Sequence, residues 1–302
     1  MPKEDTNSDT PFVSVIIIVR DMINTIDLCL RSVFSGDYPE DRYEVIVVDG
    51  GSKDGTFEKA QKYPVKCLQE FRNGRAIARN IGIKNAKGDI IAFLDADCVA
   101  HPDWLRKHVE LHNSSLALSA VCGSVECETH ISKIVKLRHY TYFGFICENA
   151  ERKLTWDIAT CNASFKRRLF KEVGLFDEKL DLGEDANLCW NAFRRGFPIL
   201  FDPSPKVTHI YPQMTWKSYL DKKRSDGLSY CSIQIPYKFP KQFVGAALFA
   251  PSLYLLRCMV EASDLVRYLP SKRLTFALMP YIFLGSVFWL AGYFEPILNK
   301  PN

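Results

Sequence analysis

The chain has 302 residues, of which 47% are hydrophobic and 25% charged, enough to bury a sizeable core in one or two domains and to exclude a disordered tail. A formal net charge of +4 is too small and too dispersed for a nucleic-acid binder, and no aromatic-plus-basic recognition signature accompanies it; a basic patch facing a membrane suits it better. Ten cysteines occur singly, at positions such as Cys29, Cys67, Cys98 and Cys161, without a Cys-x-x-Cys pair, and are expected to be reduced and mostly in the core.

Residues 1–10 are polar and read as a disordered N-terminal tail. The first apolar run, Phe12 to Val19, is too short and too β-branched for a signal peptide and reads as a buried strand. Ile23 to Phe34 has helical spacing, and Tyr43 to Val48 is a second strand. The turn-rich stretch from Asp49 to Thr56 follows, then a helical Phe57 to Lys62, a third strand at Val65 to Gln69, and a helix from Gly74 to Asn85. After the turn signal Lys87-Gly88-Asp89 comes a fourth strand, which ends at Leu94. Such alternation predicts an α/β fold, a parallel sheet wrapped by crossover helices.

The fourth strand runs directly into Asp95-Ala96-Asp97. Ligand sites in open α/β sheets gather where such strands end, and in an extended chain residues two apart project to one side. Two carboxylates there suit Mg²⁺ or Mn²⁺, above all when a substrate's phosphates complete the shell. About one Asp-x-Asp is expected by chance in this chain, so position carries the argument. Further on, Glu184-Asp185 opens an amphipathic helix, where an acid pair also serves as a favourable end charge. His209 ends the apparent strand Lys206-Val207-Thr208. Trp156 and Trp190 fit core packing.

Taken in order, Val-Val-Asp-Gly-Gly-Ser-Lys-Asp-Gly-Thr (47–56), Gly-Arg-Ala-Ile-Ala-Arg-Asn (74–80), Phe-Leu-Asp-Ala-Asp (93–97), Cys161 to Arg167, Glu172 to Asp177, Gly183-Glu184-Asp185 and His209 resemble glycosyltransferase family 2, the inverting GT-A enzymes. The resemblance implies a GT-A (Rossmann-like) fold with a mixed, mainly parallel sheet over residues 11–240. It also implies a nucleotide-sugar donor, with UDP the expected nucleotide. Val19, Arg20, Asp49, Arg75, Arg79 and Asp95 would then bind the nucleotide sugar, with Asp49 accepting a hydrogen bond from uracil N3. Asp95, Asp97 and His209 would hold Mn²⁺ or Mg²⁺. Asp185 would be the general base, and Glu184 would orient the acceptor or its loop.

The chain departs from that pattern at Ile18-Val19-Arg20-Asp21, where similar enzymes often read Pro-x-Tyr-Asn, so the usual aromatic near the base is missing. Gly50 stands where a second Asp often follows. The absence of Gln-x-x-Arg-Trp disfavours processive synthesis and favours addition of a single sugar. Two other readings remain open: a membrane-tethered nucleotide-sugar binding subunit without turnover, and a polyprenyl-phosphate glycosyltransferase. A sugar nucleotidyltransferase would place a Gly-rich, Arg/Lys-containing loop where Arg20 to Asn24 stand.

Composition changes after residue 240, and residues 241–302 read as a membrane-associated helical segment. Leu274 to Phe294 is 21 residues without a charge, enough at ~1.5 Å per residue to cross a ~30 Å hydrocarbon layer. The weaker apolar stretch Phe243 to Leu256 has only 14. Basic residues from Lys217 to Lys241 precede it, as suits a cytoplasmic face and anionic lipid. The expected partners are therefore a nucleotide sugar, a lipid-linked or glycan acceptor and membrane lipid, with a cytoplasmic catalytic domain.

Overall fold

The computed structural model describes residues 10–128, 130–147, 149–155, 158–180, 183–232, 258–259, 262–263, 266–268 and 271–298. Residues 1–9 of the expected tail, Trp156 and the apolar stretch 243–256 lie outside them. The N-terminal half begins as the apolar runs require. Strands β1 (Val13–Val19), β2 (Tyr43–Asp49), β3 (Lys66–Gln69) and β4 (Ile90–Leu94) form the parallel part of one sheet. Helices α1 (Ile26–Phe34), α2 (Thr56–Ala60) and α3 (Arg75–Asn85) lie between them in sequence. Val15, Ile16 and Ile17 of β1 and Ile46, Val47 and Val48 of β2 have no exposed surface, as continuous β-branched runs predict for strands covered on both faces.

The sheet has nine strands in the order β3-β2-β1-β4-β8-β6-β9-β5, with β7 paired to β9. The later elements are β5 (Cys98–Ala100), α4 (Trp104–Ser114), β6 (Ala120–Cys127), α5 (Lys133–Phe143), β7 (Lys153–Leu154), β8 (Asn162–Lys166), α6 (Arg167–Val173), α7 (Glu184–Arg194) and β9 (Ile199–His209). Here the pairing turns antiparallel, β8 against β4 and β6, and β9 against β5 and β7. The sheet is thus parallel along its N-terminal strands and antiparallel where the later ones join.

A buried polar ladder fastens α4 to β8. Trp104, His108 and His112 recur every fourth residue on α4, while Asn162 and Ser164 alternate on β8. The Asn162 amide donates to the carbonyls of Ser124 (2.8 Å) and Pro205 (3.0 Å), which fixes its oxygen as the acceptor for Trp104 Nε1 (2.8 Å) and His108 Nε2 (3.0 Å). Ser164 then donates to His108 Nδ1 (2.8 Å) and accepts from His112 Nε2 (2.9 Å). This arrangement needs the His108 imidazole neutral, because its Nδ1 must accept, and burial disfavours a charge on His112.

The described chain divides into two compact units. One comprises Met1–Glu126, Glu151–Lys179 and Glu184–Ile210, and the other Cys127–Ala150, Leu180–Gly183 and Tyr211–Asn302. In the second, α8 (Trp216–Ser232) lies along α9 (Lys272–Leu298). Trp216 stacks on Tyr281 at 3.9 Å between centroids, and Arg224 pairs with Glu295 at 3.0 Å. A Cβ at Gly285 would lie 2.8 Å from the Tyr219 hydroxyl, so the close approach of the helices requires glycine there. Leu278, Ile282 and Trp289 form the buried stripe of α9, while Phe276, Phe283, Leu284 and Val287 face outward. Among the described residues, Lys272–Gly292 is the one stretch long and apolar enough to cross a membrane.

Burial holds His108 down to about 4 and His112 to about 3, whereas in the unfolded chain both protonate near 6.5. Between those values the unfolded state binds more protons, so this stability is complete above pH 6.5 and is lost as the pH falls. Urea unfolding should show a loss of about 2 kcal/mol per histidine between pH 7 and pH 4.5, with a shallower pH slope in His112→Gln.

Candidate active site

The central strand β4 stops at Leu94, and Asp95 to Cys98 closes as a turn, with the Cys98 amide donating to the Asp95 carbonyl at 2.9 Å. The extension that would carry Asp95 and Asp97 to one side does not persist, and the two carboxylates find different neighbours. Asp97 Oδ2 lies 3.5 Å from His209 Nε2, and Asp95 Oδ1 lies 3.5 Å from Arg79 Nη2. His209 arrives through the sheet, because Cys98 on β5 is directly opposite it on β9 and the Ile210 amide donates to the Asp97 carbonyl at 2.7 Å. Burial raises the Asp97 pKa, His209 and Arg75 oppose this, and Asp95 adds to it.

Donor atoms of Asp97, Cys98 and His209 lie within 4.8 Å of one another. A carboxylate beside an imidazole fits a divalent ion of the Mn²⁺ type better than Mg²⁺. A hydrogen bond with Cys161 and burial push the Cys98 thiol far above its usual range, so it remains protonated unless an ion displaces the proton.

Arg79 lies inside the protein, not at a nucleotide surface. From the middle of α3 its guanidinium bonds Glu184 Oε1, reaches Asp95, and sits 5.8 Å from the centroid of Phe176. Its neighbour Asn80 clamps Phe176 by two hydrogen bonds, to the carbonyl at 2.9 Å and from the amide at 3.0 Å. The Arg79-Asn80 dipeptide therefore ties α3 both to the first turn of α7 and to the segment around Phe176. Glu184 is 2% exposed, and its second carboxylate oxygen has no partner among the described residues. Burial and the adjacent Asp185 raise the Glu184 pKa, and Arg79 works against both. Asp185 is more open. Its Oδ1 accepts from the Ala186 amide at 2.8 Å and its Oδ2 from the Thr160 hydroxyl at 3.4 Å.

At the other end of the expected site, β1, β2 and β3 finish side by side, with Val19 opposite Asp49 and Asp49 opposite Gln69. Asp49 is fully buried, and its carboxylate shapes its own loop by accepting from the amides of Gly51 and Ser52, both at 3.0 Å, and from the Ser52 hydroxyl. Val19 contributes its carbonyl, which accepts from Gly50 at 2.8 Å. Arg20 is exposed and donates to Asn73 Oδ1 at 2.5 Å. Arg75, exposed at the start of α3, lowers the pKa of both Asp97 and Glu184, which places its charge on the carboxylate cluster. Trp190 stacks on Phe193 along α7. Sequence reasoning gave no site role to Cys98, Asn80 or Thr160; the cross-sheet register, the clamp around Phe176 and the bond to Asp185 bring them in.

Residues 14–174 match the family model described as Glycosyl transferase family 2. Glycosyltransferase AglE of Haloferax volcanii is 33% identical over 201 residues, 64% of this chain; the chain spans 65% of that relative. A Methanococcus voltae protein is 24% identical over 95% of this chain and 98% of its own length. It is named dolichyl N-acetyl-alpha-D-glucosaminyl phosphate 3-beta-D-2,3-diacetamido-2,3-dideoxy-beta-D-glucuronosyltransferase. Among solved structures, mannosyltransferase PcManGT of Pyrobaculum calidifontis, in complex with GDP-Man and Mn²⁺, aligns with TM-score 0.65 and 20% identity over 96% of this chain and 88% of its own. That likeness establishes the fold.

Arg79→Met should leave Glu184 buried without its cation and cost about 3 kcal/mol in urea unfolding. Arg79→Met/Glu184→Met should recover at least half of that loss, a coupling that a double-mutant cycle measures.

Proposed function

The chain belongs to glycosyltransferase family 2, and from that premise we propose that it moves a single sugar from a nucleoside diphosphate sugar to a hydroxyl of a lipid-linked glycan, with inversion at the anomeric carbon. The observation that carries this reading is the cluster at the end of β4. There Asp97 and His209 form one arm, Asp185 at the start of α7 another, and buried Arg79 joins Asp95 to the Glu184 beside it.

The Asp185 carboxylate takes the proton from the acceptor hydroxyl as its oxygen bonds to the anomeric carbon from the side opposite the leaving group. The bond from that carbon to the diphosphate breaks, and the diphosphate leaves with the electron pair. A divalent cation, Mn²⁺ or Mg²⁺, held by Asp97 with His209 and aided by Asp95, would neutralise the departing charge. Arg75, exposed at the start of α3, supplies a guanidinium that could pair with the same diphosphate. Asp49 serves the nucleotide end through the loop it orders. UDP is the expected nucleotide, and the GDP-Man complex of the Pyrobaculum enzyme makes GDP the one to test beside it.

A proton-accepting Asp185 has work to do only if the acceptor is a hydroxyl, because a polyprenyl phosphate oxygen is already ionised. The Methanococcus relative, whose name gives a sugar already attached to a dolichyl phosphate as acceptor, supports this choice over the polyprenyl-phosphate alternative. Membrane attachment on the cytoplasmic side fits such an acceptor. The outward apolar residues of α9 suit lipid, but exposed Lys217, Asp221 and Arg224 on the helix lying along it would be costly in hydrocarbon. An α8/α9 pair seated in the interface, its charges in water, avoids that cost.

A screen of UDP and GDP sugars on the purified full chain should show release of a nucleoside diphosphate and not pyrophosphate, and loss of activity on exhaustive chelation. Asp185→Asn should lower turnover by about 10²-fold or more while Mn²⁺ and donor affinity are kept; near-normal turnover would remove the general base. Flotation should bring the chain up with anionic vesicles, and a cysteine placed at Val287 should react with a membrane-impermeant reagent far less once vesicles are added.

A further inference from the structure

We propose that Phe71 is the platform on which the donor's base stacks, with Arg20 at its edge; this rests on the nucleotide-sugar reading above. The carboxyl ends of β1, β2 and β3 lie in register, so the three segments that follow them, at Arg20, at Gly50 to Ser52 and at Glu70 to Asn73, are neighbours. In an open α/β sheet this is where a ligand's planar groups come to rest. At that place the chain displays a large aromatic ring instead of burying it. Phe71 is 76% exposed.

The ring is displayed, but it is not loose. Gly51 has φ +81°, and a Cβ there would lie 3.1 Å from Phe71 Cδ1, so one side of the ring rests on a glycine where a side chain would be strained and would crowd the ring. Glycine at 51 is in turn held by Asp49, whose buried carboxylate accepts from its amide. The Glu70 amide donates to the Asp49 carbonyl at 2.8 Å, which anchors the residue before Phe71 to the same strand end. Arg72 grips Glu70 with two hydrogen bonds, at 3.0 and 2.8 Å, so the flanking acid is neutralised in place. Asn73 holds Arg20, whose Cβ lies 3.4 Å from where a Cβ of Gly50 would be.

The result is a ring with an open face, a planar guanidinium with donors to spare, and a glycine floor that lets a flat molecule approach. An aromatic face stacks any base, while the guanidinium reads carbonyl oxygens at the base edge. Because Asp49 has no exposed surface, selection between bases passes to Arg20 and the open backbone of the loop. Pyrophosphate, which has no base, uses none of these groups.

The test is titration calorimetry of the full chain with UDP, GDP and inorganic pyrophosphate in Mn²⁺. Phe71→Ala should weaken the better-bound nucleotide about tenfold or more and leave pyrophosphate unchanged, and Phe71→Trp should keep the nucleotide affinity. Because the side chain is so exposed, neither variant should shift the melting temperature. Unchanged nucleotide affinity in Phe71→Ala, or an equal loss of nucleotide and pyrophosphate, would overturn the platform and leave the transferase reading intact. Wild-type chain that binds pyrophosphate but neither nucleotide would overturn the donor reading itself.

Discussion

A guanidinium cannot be taken out of water without an anion to meet it, and in this chain that requirement organises the catalytic unit. Arg79 is 3% exposed, and the acids that satisfy it are Glu184 and Asp95, which are far apart in the sequence. Once Arg79 is fixed on α3, the first turn of α7 must come to it and bring Asp185. The turn after β4 must come as well, bringing Asp97. The spacing between Asp185 and Asp97 is thus set by a buried charge that pairs with neither.

How much of this could be read beforehand depended on how each element is stabilised. The strands β1, β2 and β4 are buried along most of their length and rich in β-branched or apolar side chains, so continuous apolar runs announce them, while β3 at the sheet edge is half-exposed. The strand β8 is just as buried, yet its sequence Asn-Ala-Ser-Phe-Lys carries Asn162 and Ser164 inward to a polar ladder, so no apolar signal marks it. For β9 only the last residues looked like a strand, because Pro203 and Pro205 break the pattern. Both keep their carbonyls in use, toward Ser124 and Asn162. Arg79 and Glu184 are separated by most of the catalytic unit, and spacing on α3 alone gave the guanidinium an outward path it does not take.

Asp49 and Arg20 show the same limit at the nucleotide end. The first was expected to meet a base and instead holds its own loop; the second replaces an aromatic and finds a partner in Asn73. Local turn chemistry took the carboxylate before any ligand could.

The two compact units are interleaved along the chain, since residues 127–150 and 180–183 belong with the C-terminal helices although catalytic segments precede and follow them. No single cut can therefore separate the two units. Removing α9 would uncover α8, and α5, which touches α8, must be translated before β8, α7 and His209 exist. Residues 127–150 are in that sense committed to one unit before β8, α7 and β9, which belong to the other, have been made.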